Sequence, residues 1–450
     1  LIHLSFKLKS NELLIYYTKI TQTNQTAFTL PLQTGSTLSA GGVPMLQFGH
    51  NDQPKVLILY ASYGDGHLQV ARAIADAMKE QGNARTVMID LMAESHPWLN
   101  ELTRRFYRKS YTHMPSLYGW MYDFTRPMKH DSLFGGLLHS FGRDKIRRIL
   151  DAERPDVVIH TFPSFALPEL KKRGRPQPPS CAVVTDFDLH RRWVHPSIER
   201  YYVATEDMKT ELVQLGIPDG NVQVSGIPLK GGFRSLLAAS RVKSGSVFPA
   251  SLALPARKAE LFRRYGLEPE LPVVLIMAGA EGCMPDLERI CDSLLEEPGL
   301  QIALVCGRNA ALQAEMEQAY SADPRFDRLN VYGFVEQMDE LMTQSTCLLT
   351  KPGGVTLSEA IAAGLPMFAY RPVPGQEKQN ALYLASKGAL TIAYESDALI
   401  NEIKGLLADP LRYAAMQTSV RQLQPAEPAA DRLAMDILDR CLAWDSAVNI

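Results

Sequence analysis

No two of the six cysteines form a CxxC pair; Cys181, Cys283, Cys291, Cys306, Cys347 and Cys441 fall singly, several within apolar runs such as IALVCG and TCLLT. That spacing argues against zinc and disulfide chemistry and fits buried, reduced thiols in the cytosol. No apolar run approaches the roughly 20 residues a membrane-spanning helix needs, so a chain working at a membrane works from its surface. An excess of charge is also missing. Lys and Arg total 47 against 49 Asp and Glu, a net charge of −2, which argues against general nucleic-acid binding and sends the search for a cationic surface to local segments. The first methionine is Met45, and the Thr/Gln/Ser-rich stretch before it lacks the pattern of a signal peptide. The working protein is therefore expected to begin near Met45, with residues 1–50 a disordered extension.

What is present is a long alternation. At 450 residues the chain exceeds what one hydrophobic core supports, and 46% hydrophobic content fills two. From Lys55 the short apolar runs KVLILY, TVMID, DVVIHTF, CAVVTDF, RYYVAT and NVQVSGIP alternate with helical stretches. A second series follows, with VVLIMAG, QIALVCG, LNVYGF, CLLTKPGG, PMFAYRP and LTIAY. Strands that are apolar throughout belong to parallel sheets covered on both faces, so the fold class is α/β with two doubly wound domains. Residues 51–228 make the first domain, 229–270 a linker with an exposed insertion at 240–255, 271–425 the second domain, and 426–450 a last helix that packs on either domain. Ligands of such domains lie beyond the carboxyl ends of the strands, here across a cleft.

The loops at those ends are unusual. CLLT runs into Lys351, Pro352, Gly353 and Gly354 and then a helix. The glycines let backbone approach a ligand, and the helix presents free amides and a positive dipole end to a diphosphate. Glu359 lies about one turn inside, where a carboxylate accepts from ribose hydroxyls; a plain strand-to-helix turn with a dipole-complementing Glu fits the same residues. After the next strand come Gln376, Glu377 and Asn380, groups suited to sugar hydroxyls, with a polar helix cap as the plainer reading. In the first domain, YASYGDGHLQVAR follows the opening strand, with His67 where a phosphate loop would carry glycine or lysine.

Together KPGGVTLSEAIAAGLP and PGQEKQN resemble the donor half of glycosyltransferase family 28, of the GT-B group. With YASYGDGHLQVA, HTFP, VTDFDLHRRWVHP and YYVAT, the chain more closely resembles the diacylglycerol glucosyltransferases and monogalactosyldiacylglycerol synthases, from about Lys55 to the last helix. The resemblance implies an inverting transfer of glucose, or of galactose, from a UDP-sugar to the 3-hydroxyl of diacylglycerol, with no cofactor. It places Gly279, Phe334, Val335, Lys351, Gly353, Gly354, Thr356, Glu359, Gln376, Glu377 and Asn380 on the donor, with Phe334 and Val335 by the uracil. Ser62, Gly64, Gly66 and Trp193 fall on the acceptor side.

Such a transfer needs a base for the acceptor hydroxyl and stabilisation of the departing diphosphate. His67 is the candidate base, since imidazole titrates near neutrality; a purely structural histidine is the competing reading. Asp186 is expected to orient or polarise it. Asp186-Phe187-Asp188 with His190 nearby also resembles a divalent-metal motif, but the family resembled does not depend on a metal, and none is expected.

Residues 100–150 interleave Arg104, Arg105, Arg108, Lys109, Arg126, Lys129, Lys145, Arg147 and Arg148 with Phe106, Tyr107, Tyr111, Tyr118, Trp120, Tyr122 and Phe124. That mixture suits an anionic membrane surface, and it also suits RNA or an inward-packed helical subdomain. The resemblance favours peripheral attachment to the inner face of the cell membrane. Two other functions remain open: a peptidoglycan-precursor N-acetylglucosaminyltransferase, and a non-catalytic UDP-sugar sensor.

Overall fold

The computed structural model describes three strands within residues 2–31 and most of residues 53–448, leaving aside 63–64, 83, 92, 94–114, 127–142, 164–169, 171–176, 243–253, 280–281 and 283. The chain divides into two units, Leu1–Asp52 and Gln53–Ile450. In the first, β1 (Ile2–Lys9), β2 (Glu12–Lys19) and β3 (Thr26–Pro31) form an antiparallel sheet in the order β1-β2-β3. These strands fall within residues 1–50, read from sequence as a disordered extension. LLIYYT and TAFTLP are rich in β-branched and aromatic residues, and only two positions separate β1 from β2, a hairpin spacing.

The second unit contains both expected sheets. The first is parallel, built from β4 (Lys55–Tyr60), β5 (Arg85–Asp90), β6 (Val157–His160), β7 (Ser180–Val183), β8 (Arg200–Val203) and β9 (Val222–Val224) in the order β5-β4-β6-β7-β8-β9. The other comprises β10 (Val273–Met277), β11 (Gln301–Val305), β12 (Leu329–Tyr332), β13 (Cys347–Thr350), β14 (Met367–Tyr370) and β15 (Leu390–Ala393), ordered β12-β11-β10-β13-β14-β15. Strands such as β6 and β13 are buried at every residue, which is why they read as unbroken apolar runs. The winding reverses between β4 and β6 and between β10 and β13, and crevices open beyond the strand ends at those points.

Helices α1 (Asp65–Glu80), α2 (Pro115–Thr125), α3 (Arg143–Glu153) and α4 (Glu206–Gln214) accompany the first sheet. α1 buries Val70, Ala71, Ile74, Ala77 and Met78, one apolar stripe at helical spacing. Next come α5 (Gly231–Val242) and α6 (Leu254–Arg264). The second sheet is covered by α7 (Leu287–Leu295), α8 (Ala310–Tyr320), α9 (Met338–Gln344), α10 (Gly354–Ala363), α11 (Gln376–Ser386), α12 (Ser396–Ala408) and α13 (Pro410–Gln422), and α14 (Ala429–Val448) ends the described chain.

Two of these helices tie the domains together. α5, within the segment 229–270 read as a linker, packs against α9 and α10 and seats Phe233 and Leu237 in a core shared by both sheets. A flexible linker is therefore not what 231–242 provides; the expected insertion overlaps residues 243–253, which lie outside the described residues. α14 crosses back to α1, resolving which domain the last helix covers. There Asp436 pairs with Arg200 at 2.8 Å and accepts a hydrogen bond from the Tyr202 hydroxyl at 2.8 Å. Burial alone would raise the Asp436 pKa, but Tyr202 and Arg200 hold it below the usual carboxylate range. The two chain crossings run side by side. Gly226, at φ +84, would bring a Cβ within 3.3 Å of Pro425.

Candidate active site

β4 delivers the chain to the first turn of α1, where His67 lies at the crevice between β4 and β6. Its Nδ1 is 3.2 Å from the Thr185 hydroxyl oxygen, and its backbone carbonyl accepts from Thr161 at 3.1 Å. The Phe162 ring meets the imidazole edge-on at 5.3 Å, with Trp193 behind it at 6.5 Å. The ring keeps partial exposure, yet burial pushes its pKa down to about 4, the Thr161 contact opposing this. The imidazole is therefore neutral near pH 7, with Nδ1 engaged by Thr185 and Nε2 the nitrogen left for a substrate.

Opposite stands the turn between β13 and α10. Gly353 is the N-cap of α10 and, without a side chain, supplies no capping bond to the first amides of the helix. A Cβ on Gly353 would meet nothing within 4 Å, which leaves the backbone open to a ligand. Gly354 differs, because a Cβ there would collide with the Thr185 carbonyl oxygen and lie 3.1 Å from the Asp186 Cα. Gly66 would reach Val355 in ordinary contact at 3.6 Å. Two helix N-termini from two domains thus face each other, and both dipoles favour an anion between them.

Asp186 does not touch His67 itself and is linked to it through Thr185, whose side chain it hydrogen-bonds. Its carboxylate also accepts from Gln376 Nε2 and, at 3.0 Å, from Asn380 Nδ2, so Thr185 stands between Asp186 and the imidazole. Asp186 is buried, which raises its pKa against the lowering effect of these bonds. Asn380 is enclosed in the same network. It is 0% exposed, its amide also donates to the Pro352 carbonyl at 3.2 Å, and its oxygen accepts from the Phe187 amide at 2.9 Å. It joins the two domains and is closed to a sugar hydroxyl. Glu377 turns back to accept from its own loop at Val373 N, 3.2 Å away.

Of the other expected donor residues, Gly279 and Lys351 lie at the second switch point, after β10 and β13, while Phe334 and Val335 follow the edge strand β12. Gly279, at φ +84, lies against Lys351, whose Cδ would be 3.7 Å from an added Cβ. Thr356 is partly buried in the first turn of α10. Glu359 is buried, which raises its pKa to about 7, with Lys230 lowering it and Asp339 raising it. Phe334 is 58% exposed, and the Arg308 guanidinium sits 5.2 Å from its ring centre; Val335 packs against the main core. Arg308 also reaches Asp65 across the cleft at 2.8 Å. Both partners are part-exposed, so this pair contributes at most about 1 kcal/mol and parts easily. Sequence reading passed over Arg308 and Thr185. The signal was available, since each falls within a few residues beyond a strand's carboxyl end.

On the acceptor side, Ser62 donates its hydroxyl to Asp90, and Trp193 is buried, forming a wall behind His67. Gly64 lies outside the described residues. The D-x-D pair is divided between partners. While Asp186 faces the second domain, Asp188 accepts from Arg126 at 2.6 Å and from the Tyr122 hydroxyl at 3.2 Å, both around α2. His190 accepts from Arg192 N at 3.1 Å through Nδ1. Among the described residues, no group of three or more His, Cys, Asp or Glu is placed to share a metal.

α2 is fixed over this site. Gly119 abuts Pro374 of the second domain so closely that a Cβ would collide with it, while Tyr122 and Arg126 hold the first domain. On the outside of α2, Trp120 and Phe124 stack on each other at 5.4 Å and are 63% and 55% exposed. Of the other cationic and aromatic residues between 100 and 150, those in 94–114 and 127–142 lie outside the described residues. No described helix is long and apolar enough to cross a membrane.

Comparison with known proteins bears on the family and the fold. Residues 67–229 match the monogalactosyldiacylglycerol (MGDG) synthase family, and residues 292–423 match glycosyl transferases group 1. A processive diacylglycerol beta-glucosyltransferase of Bacillus cytotoxicus is 37% identical over 377 residues, covering 84% of this chain and 92% of that protein. One of the same description from Bacillus thuringiensis is 36% identical, covering 86% and 94%. Among solved structures, Acinetobacter baumannii MurG superposes with a TM-score of 0.55 at 15% identity, covering 86% of this chain and all of that one. The UDP-GlcNAc 2-epimerase of Neisseria meningitidis gives 0.52 at 16%, with 86% and 100% covered. At that identity these two share the fold alone, the GT-B arrangement of paired Rossmann-like domains. Identity above a third across nearly the whole length of such relatives makes the conclusion plain: the chain belongs to the diacylglycerol glucosyltransferase family.

Proposed function

We propose that the protein transfers glucose from UDP-glucose to the 3-hydroxyl of diacylglycerol with inversion at the anomeric carbon, and repeats the transfer on its glycolipid product as its relatives' description states. One observation carries this reading. A neutral imidazole, held at Nδ1 by Thr185, faces across the cleft the uncapped amides of the Gly353–Gly354 turn. As the acceptor oxygen attacks, its proton passes to His67 Nε2. The anomeric C–O bond breaks on the far side, and its electron pair leaves on UDP toward the α10 amides. The single displacement inverts the centre. Donor binding also tunes the base, because a diphosphate beside His67 raises an imidazole pKa from about 4 toward the operating pH. Arg308, released from Asp65, is placed to meet the nucleotide beside Phe334.

The outward Trp120–Phe124 pair, on a helix anchored to both walls of the cleft, is the contact with the membrane. It supports peripheral attachment, in our reading to the inner, anionic face of the cell membrane, where aromatic rings enter the interface and the lipid acceptor is reached without leaving it. The test is incubation with diacylglycerol vesicles and labelled UDP-glucose, UDP-galactose or UDP-N-acetylglucosamine, followed by lipid extraction. Labelled glucolipids of one and more sugars are expected. Label entering lipid only from another donor, or donor binding without any transfer, would overturn the reading.

A further inference from the structure

We infer that Thr185 and Asp186 are positioning residues that couple the orientation of His67 to closure of the second domain, so that the imidazole is aligned only when the donor loops are in place. The inference rests on the reading of His67 as the base. Three consecutive residues beyond β7 send their polar groups to two destinations. The Thr185 hydroxyl goes to His67 Nδ1, while its carbonyl lies against Gly354 at the anion-facing turn. The Asp186 carboxylate goes to Gln376, Asn380 and the Thr185 side chain, and the Phe187 amide to Asn380. Asn380 itself reaches back to Pro352, one residue before the turn. Both second-domain loops therefore bear on the backbone that carries the imidazole's partner. A shift of about 1 Å in such a support costs on the order of a hundredfold in rate.

This coupling has a chemical use. In the open arrangement, the Gln376 and Asn380 amides leave Asp186, and nothing from the second domain fixes the Thr185 hydroxyl. Water is then not activated against the donor, and the proton-accepting nitrogen is set only over a closed cleft from which bulk solvent is removed.

The experiment is a double-mutant cycle of Thr185→Val and Gln376→Met, with Thr185→Ser as the conservative control, on the full chain with diacylglycerol vesicles and UDP-glucose. Each single variant is expected to lose about tenfold in kcat while donor KM stays within about twofold, and the double variant to lose no more than the worse single. Thr185→Ser is expected to stay within about twofold of the parent. Losses that multiply in the double variant overturn the coupling. So does Gln376→Met raising donor KM at unchanged kcat, which would make Gln376 a sugar contact only. His67→Ala, run alongside, separates the two kinds of failure. Normal turnover there sinks the base and the coupling together; lost turnover with multiplying losses in the cycle sinks the coupling alone.

Discussion

The turn before α1 and the turn before α10 occupy the same topological position, each after a strand at a winding reversal, each glycine-rich, each opening a helix. Their chemistry differs. The first carries a titratable ring and an acidic residue, and Gly66 meets Val355 in ordinary contact. The second has no acidic or titratable imidazole group in the Gly353–Gly354 step, keeps its amides uncapped, and has Gly354 pressed under a carbonyl from the opposite domain. One fold element, used twice, supplies proton handling on one side and anion reception on the other. The side chains in the turn decide which.

The comparison breaks most visibly at His67. His67→Ala is expected to lower kcat by roughly a hundredfold to ten-thousandfold with the melting temperature retained; near-normal turnover removes it as the base. At the other turn, Gly354→Ala must push Thr185 away, and a loss of about a hundredfold in kcat/KM is expected, against about tenfold for Gly66→Ala, whose added methyl meets only an ordinary contact. Equal losses at the two glycines would dissolve the distinction.

The pH profile sharpens it. His67 must be neutral to accept a proton, and its folded pKa is depressed to about 4, so kcat/KM is expected to persist below the ordinary imidazole value of 6.5 and to fall as pH drops through about 4. The sign for stability is the same. The unfolded chain takes up the proton first, so stability declines from pH 6.5 downward until His67 charges in the folded state as well. An acid limb at 6.5 in the free enzyme would show a solvated imidazole.

Smaller effects test what holds the two turns face to face. Asp436→Asn leaves Arg200, only 6% exposed at its side chain, without its charge partner, and about 2 kcal/mol of stability should be lost by chemical denaturation. Because the Asp436 pKa is depressed in the folded protein, its contribution is present above the unfolded value and lost as pH falls through the folded one. That acid sensitivity is expected to disappear in the variant. Least of all, EDTA should change turnover by less than about twofold, the diphosphate being met by amides; loss restored by Mg²⁺ would reassign Asp186 and Asp188.

The sheets were legible because buried parallel strands are continuous apolar runs, and KVLILY or CLLT admit little else. Loops with chemistry were legible for a related reason: GDGH and KPGG stand directly after such runs. For Asp186 the sequence hid two partners, Gln376 and Asn380, which lie 190 and 194 positions away and belong to the other domain. No local pattern announces such a bond. Thr185 escaped notice because its imidazole partner, His67, lies 118 positions away. β1, β2 and β3 were missed when polar composition was given more weight than β-propensity.

The return of α14 to α1 also sets a schedule for biosynthesis. Gln81, just past α1, hydrogen-bonds the Asp431 carbonyl, 350 positions later. At about 5 to 20 residues per second, the apolar flank of α1 leaves the ribosome roughly 20 to 70 s before its cover exists. During that interval the nascent first domain exposes a sticky surface. Substitutions in α14 are therefore expected to act through folding yield rather than catalysis.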